Sequence, residues 1–335
     1  MSKVTVIVPI YNVEEYVEKC INSLTNQTFN DISIWAISDG SPDNSMQIVD
    51  KLAKKDKRIK SIKKENGGYG SVLEYAIANI STEYFLICDP DDWLEVDAIE
   101  KLYNKMIETD ADLVVGEKYL VYQNQNNKIV ENSYMPFYKL ENGVKSVHLD
   151  NFVFMSVTPH AKLYKTQFAK NILFSHHVSY TDTTLYLIYL TKINSAVYLN
   201  EPLANYYIDR PGNTSGELER LSQKAFKNMM TVLKSIYEQL DRNSNLYYCI
   251  CYRLYILLLF VIKRMPKNID SMQLNNNIEE IASFLNMLKK DKKKFIKYVR
   301  AENYLKTIAK KILCFLIFNS YLMKKVVKIM IKISK

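Results

Sequence analysis

The chain has 335 residues, 48% of them hydrophobic, with 45 Lys+Arg against 36 Asp+Glu, which suits one large domain or a domain with an appendage. Five cysteines, Cys20, Cys88, Cys249, Cys251 and Cys314, are odd in number and lack paired zinc spacing, which argues against a disulfide framework or structural zinc. The net charge of +9 hides a division: residues 217–335 hold 24 Lys+Arg against 9 Asp+Glu, leaving 21 against 27 in residues 1–216, where all eight glycines lie.

The first region has the glycine punctuation of an α/β domain, and the second reads as nearly continuous helix. The sequence therefore predicts domains over 1–216 and 217–335. The start, Met1-Ser-Lys-Val-Thr-Val, enters a strand pattern at once without the charged and apolar segments of a secretory signal. The expected compartment is a reducing cytoplasm.

In chain order, Val4–Val8 is a β-branched run ended by Pro9, and residues 13–26 carry apolar positions at helical spacing. Ile32–Ile37 predicts a second strand, ended by Ser38-Asp39-Gly40-Ser41, with a helix after it. Ile59–Ile62, the turn Asn66-Gly67-Gly68-Tyr69-Gly70, a helix over 71–79 and a strand over 84–88 continue the alternation. Helix 95–108 and strand Leu113–Val115 complete it. Such alternation predicts a largely parallel, doubly wound sheet that binds ligands beyond the carboxyl ends of its strands. The loops after four predicted strands, beginning at Pro9, Ser38, Asn66 and Asp89, should then share one rim. Gln123–Asn127 reads as a hairpin tip, and Ala196–Leu199 with Leu203–Ile208 as a closing pair of strands that ends before Asp209-Arg210-Pro211-Gly212-Asn213.

Cys88-Asp89-Pro90-Asp91-Asp92-Trp93 places three carboxylates in four positions directly after an apolar run. Crowded carboxylates repel one another unless a cation or hydrogen-bond donors share the charge, and oxygen ligands suit Mg²⁺ or Mn²⁺. The alternative is that Asp91 or Asp92 caps the following helix. Asp182 is an acid just before an apolar helix, and Arg210 is either a phosphate ligand or half of a surface ion pair.

Residues 1 to about 212 resemble a family 2 glycosyltransferase of the GT-A fold. The resemblance runs through Val6-Ile-Val-Pro-Ile-Tyr-Asn12, Gln27-Thr28-Phe29, Asp39-Gly40-Ser41-x-Asp43, Asn66-Gly67-Gly68, Asp89-x-Asp91-Asp92-Trp93 and Lys162-Leu163-Tyr164. It implies a GT-A-type α/β domain with a doubly wound, mostly parallel sheet, followed here by an all-helical basic C-terminal region. It also implies inverting transfer of a sugar from a nucleotide donor, a UDP-sugar, to a glycan or lipid-linked glycan in cell-surface polysaccharide synthesis. By the resemblance Asp39 binds the base or ribose, with Pro9, Tyr11 and Gly67 lining that pocket. Asp89 lies near the ribose or metal, Asp91 on the metal as Mn²⁺ or Mg²⁺, Asp92 and Arg210 on the acceptor or phosphate side, and Asp182 at the general base. Ser38 stands where the family usually has Asp, and Tyr69-Gly70-Ser71 where it usually has Ala-Arg-Asn. No histidine follows Asp182 to serve as a late metal ligand. The alternatives are a sugar nucleotidyltransferase, whose expected glycine-rich loop after the first strand is missing from Val8-Pro9-Ile10-Tyr11, and a non-catalytic membrane-docked binding or scaffold protein.

The tail lies outside the resemblance. Leu254–Ile262 and Ile312–Phe318 are apolar but shorter than the roughly 20 residues of a spanning helix. Over 322–335, Lys324, Lys325, Lys328, Lys332 and Lys335 fall in one arc, with Val326, Val327, Met330 and Ile331 outside it. That pattern predicts docking on an anionic membrane surface, at the inner face of the plasma membrane. A solvated lysine face over a core or a homodimer interface is the competing use, and nucleic acid is disfavoured because no recognised module accompanies the charge.

Overall fold

The computed structural model describes residues 2–122, 128–131, 140–210, 221–266, 269–299, 304–319 and 321–333. The expected turn at Gln123–Asn127, the end of the loop at Pro211-Gly212-Asn213, and Lys335 lie outside the described residues.

The alternation read from the sequence is present as β1 (Val4–Ile10), α1 (Val17–Thr25), β2 (Ile32–Asp39), α2 (Ser45–Lys55), β3 (Ile59–Lys64), α3 (Tyr69–Asn79) and β4 (Tyr84–Ile87). Then come β5 (Trp93–Leu94), α4 (Ala98–Thr109), β6 (Leu113–Val121), β7 (Ile129–Glu131) and β8 (Lys145–Ser146). The region closes with β9 (Lys162–Lys165), α5 (Thr166–Ala169), α6 (Asp182–Leu190) and β10 (Ala196–Tyr207). The sheet runs β3-β2-β1-β4-β9-β6-β10-β5, with β7 on β6 and β8 on β10. β1 to β4 are mutually parallel and β10 is parallel to β6, whereas β9 lies antiparallel between β4 and β6. Every residue of β1 and β4 is buried, as a sheet covered on both faces requires. Pro9 is tolerated in β1 because the β4 ladder stops at Ile7, leaving only β2 beside it.

The strand pair expected over 196–208 is one strand, β10, which follows β6 throughout and absorbs Pro202 through register shifts on either side of it. Neither Asp91 nor Asp92 caps the helix after them, which starts at Ala98. Its Ile99 N–H donates instead to Gln27 Oε1 at 3.0 Å, while Gln27 Nε2 donates to Glu95 O at 2.7 Å. Gln27 therefore satisfies an otherwise orphaned helix-start donor and ties the end of α1 to that turn.

The described residues form two compact units, one up to Arg210 and one from Leu221 onward. The second is helical: α7 (Gln223–Gln239), α8 (Tyr247–Lys263), α9 (Ser271–Lys289), α10 (Lys292–Phe295), α11 (Tyr304–Ile317) and α12 (Met323–Ile333). Ser222 and Asp270 cap α7 and α9 through their side chains. Leu254, Leu258, Phe284, Phe295, Phe318 and Val327 are among its buried core. Among the described residues, no helix is long and apolar enough to cross a membrane. On α12 the residues at i, i+4 and i+8, Met323, Val327 and Ile331, are buried, and the helix packs on α8, α9 and α11. Val327 and Ile331, expected on the lipid side, are therefore covered by the unit's own core. Lys324, Lys325, Lys328 and Lys332 remain exposed, Lys324 beside Glu279.

Candidate active site

Because β1, β2, β3 and β4 are parallel and in register, the loops after Ile10, Asp39, Lys64 and Ile87 emerge on one rim. At its centre Asp39 is buried, with its carboxylate accepting from Lys64 Nζ at 2.8 Å, Gly67 N at 2.9 Å and Gly68 N at 2.8 Å. Burial raises its pKa, but the Lys64 and backbone donors outweigh burial and hold it below the usual carboxylate range. Asp39 thus shapes the glycine turn as well as facing the rim. Beside it Asn12, at φ 55°, bonds through its N–H to Ser41 Oγ at 2.8 Å, and the preceding Tyr11 is 51% exposed.

The acids after β4 are divided by their partners. Asp89, half-buried, accepts from the Tyr69 hydroxyl at 2.8 Å. Asp91 pairs with Arg210 Nε, whose guanidinium lies 5.4 Å over the Tyr16 ring. Asp92 is 2% exposed, with one oxygen taking Tyr207 N at 2.8 Å and the other 2.6 Å from His160 Nε2. Burial drives Asp92 up and His160 down, so one proton is shared between two groups that each disfavour charge. Asp92 is therefore a strut between β10 and the turn before β9. Replacing His160 by Ala should destabilise this unit by about 3 kcal/mol, since it strands a buried carboxyl. Urea unfolding checks this, and a loss below about 1 kcal/mol would contradict the strut.

One ligand atom from each of Asp89, Asp92 and His160 lies within 4.8 Å of the others, and His160 Nδ1 is buried with no hydrogen-bond partner among the described residues. Burial, then the charge of Asp91, pushes Asp89 up to about 8. Carboxylates crowded this way, with one arginine for balance, suit a hard divalent ion. These donors could hold a divalent ion, but the three that cluster are Asp89, Asp92 and His160, whereas the resemblance assigned the metal to Asp91 and Asp89.

The segment carrying Asp182 packs directly on the glycine turn. His177 N donates to Gly67 O at 2.6 Å, and a Cβ on Gly68, at φ +83°, would lie 2.8 Å from His177 N. At Gly70 it would lie 2.7 Å from Ser175 O. Both positions require glycine so that this segment can approach. Asp182, half-buried at the start of α6, acts on the same phenol as Asp89: burial first, and then the charges of Asp89 and Asp182, raise the Tyr69 pKa, and Asp182 also raises that of Asp89. Burial pushes Asp182 up to about 6, opposed by the Thr183 N–H and by Lys162. Lys162 is 1% exposed, donates to Thr158 O at 2.5 Å, and lies 5.3 Å over Tyr186, one turn beyond Asp182. Burial and then Lys118 bring it down to about 7.

The structure thus brings Asp89, Asp91, Arg210 and Asp182 together beside the rim that carries Pro9, Tyr11, Asp39 and Gly67. Sequence reasoning missed His160, Tyr69 and Lys64, and assigned Lys162 only to a motif. A cleft of about 380 Å³ lined by residues 80–83, 165–167 and 170 opens at the other end of β4 and takes no part in this arrangement.

A family model described as glycosyl transferase family 2 matches residues 5–173, half of the chain. The chain belongs to that family. As a family 2 glycosyltransferase it is 32% identical over 226 residues to the glycosyltransferase GlyA of Streptococcus pneumoniae, covering 64% of this chain and 32% of GlyA. Against the chondroitin synthase of Pasteurella multocida it is 30% identical over 133 residues, covering 39% of this chain and 14% of the synthase. The chain spans about a third or less of the length of these two relatives. In fold, this glycosyltransferase is similar to S. aureus TarS 1–349 solved with UDP-GlcNAc, at TM-score 0.73 and 19% identity, covering 97% of this chain and 90% of that one. The GT-A-type architecture with a helical C-terminal region is the fold the sequence implied.

Proposed function

We propose that this family 2 glycosyltransferase moves a sugar from a UDP-sugar to a glycan or lipid-linked glycan in bacterial cell-surface polysaccharide synthesis, with inversion. The observation that carries the proposal is the meeting of Asp89, which accepts from the Tyr69 hydroxyl and has Asp91 beside it, with Asp182, whose charge acts on the same phenol. The UDP-GlcNAc complex of a protein of the same fold supports the choice of donor. Tyr11 and Pro9 line the nucleotide pocket and Asp39 with Gly67 closes it, the Gly67 and Gly68 N–H groups being held in place by the Asp39 carboxylate. Asp89 and Asp91 would hold a divalent Mn²⁺ or Mg²⁺, which would supply positive charge against the departing diphosphate. Arg210, covering Asp91 here, adds a positive charge on the phosphate side. Asp182 takes the acceptor hydroxyl proton as that oxygen attacks the anomeric carbon from the face opposite the leaving group.

Incubating the full chain with a panel of nucleotide sugars and Mn²⁺ or Mg²⁺, and measuring nucleoside diphosphate release, tests this reading. UDP release from one or more UDP-sugars, abolished by EDTA, is the expected result. Turnover that ignores EDTA, or that uses only GDP- or ADP-sugars, would contradict it.

A further inference from the structure

The C-terminal hairpin of the helical unit has a chemistry that its own core does not explain. Residues 303–335 contain eight lysines and no Asp or Glu. On α11, Cys314 and Ile317 are buried together with the adjoining Phe318. The other side carries Ile308, Ile312 and Phe315, at i, i+4 and i+7, with 36%, 54% and 59% of their surface exposed. At 3.6 residues per turn these three fall within an arc of about 60°. A helix that only closes a core needs one apolar face, and α11 has two. The uncovered face is a stripe, unlike the single exposed apolar residues common on any surface.

Positive charge lies beside the stripe. Lys311 adjoins it on the helix, and Lys292 Nζ lies 4.6 Å over the Phe315 ring. On α12, which packs on α11, Lys325, Lys328 and Lys332 are exposed, as are Ile329 and Ile333.

We propose that the α11–α12 hairpin docks the enzyme on an anionic lipid surface, with Ile308, Ile312 and Phe315 entering the boundary between headgroups and acyl chains and the lysines facing lipid phosphates. The inserting element is α11; the apolar side of α12 already belongs to the core. Charge decides against a second copy of this chain, because self-pairing would oppose two lysine-rich hairpins with no acid on either to neutralise them. An apolar stripe with bulky Ile and Phe between lysines matches a helix lying in the interface plane, and no described helix is built to cross.

Flotation of the full-length protein with phosphatidylcholine vesicles, with and without phosphatidylglycerol, tests the proposal. The protein should float with the phosphatidylglycerol vesicles alone, and raising NaCl from ~0.05 M to ~0.5 M should reduce the bound fraction about tenfold. Ile312→Asp combined with Phe315→Asp should reduce binding by about tenfold or more at unchanged far-ultraviolet circular dichroism and thermal midpoint. Phe315→Trp should show an emission blue shift with those vesicles, and this variant keeps the test open if the double variant does not fold. No flotation at low salt would overturn the proposal, as would undiminished binding of the folded double variant, or no blue shift. A double variant that converts a dimer to a monomer, without vesicle binding by the wild type, would assign the stripe to self-association.

Discussion

Exchanging Asp182 for Asn is expected to lower sugar transfer by about 10²-fold or more while leaving UDP affinity in Mn²⁺ nearly intact. Asn keeps the shape and can still sit in the first turn of α6, whose N-cap position is Thr181, so a purely structural Asp182 would tolerate the exchange. Steady-state kinetics and UDP titration separate the two accounts. Two pH effects accompany the loss. With Asp182 pushed up to about 6, the base form dominates above that value, and wild-type turnover should fall about tenfold per unit below it. The native value lies above the unfolded reference of about 3.9, so protonated Asp182 favours the folded chain. That contribution is present below about pH 4 and is lost as pH rises to about 6, amounting to about 3 kcal/mol. The Asn variant should accordingly gain thermal stability at pH 7.5 and not at pH 4. A variant with normal turnover and lower stability would reduce Asp182 to a helix-start residue.

The second large effect is expected at Asp91. Asp91→Asn removes the charge that faces Arg210 and, in the proposed site, the metal, so metal-dependent turnover should drop by about 10²-fold or more. Ligand binding to the native state at about one hundred times Kd stabilises by about 2.7 kcal/mol. The wild type should show such a shift with UDP plus Mn²⁺ and the variant should lose most of it, as read by thermal denaturation. An unchanged shift would move the metal to Asp89, Asp92 and His160, the group that the geometry also brings within reach.

Much of the sheet was legible because its punctuation is local. Val4–Val8 ends in Pro9, Ile32–Ile37 in Ser38-Asp39-Gly40, and Tyr84–Ile87 in the acids, so the rim can be placed from composition alone. β9 was not legible, since its four residues Lys162–Lys165 include two lysines and show neither alternation nor an apolar run. The single strand β10 was hidden by Asn200-Glu201-Pro202, which reads as a turn and is absorbed as a register irregularity. The site's ion pairs are long-range: Asp92 meets His160 68 residues away, and Asp91 meets Arg210 119 residues away. No local signal announces such pairs. On α12 the periodicity correctly marked an apolar face, but the same pattern fits a lipid surface or a protein core, and only packing shows that the core covers it.

In the proposed reaction a single displacement joins the two sides of the site: Asp182 deprotonates the acceptor while the Asp89 and Asp91 side releases the diphosphate. Its most direct test is the stereochemistry of the product, read from the anomeric proton by nuclear magnetic resonance during turnover of the UDP-α-sugar that the donor panel selects. The first product formed is expected to carry the sugar in β linkage. A product formed with the α configuration retained would contradict it.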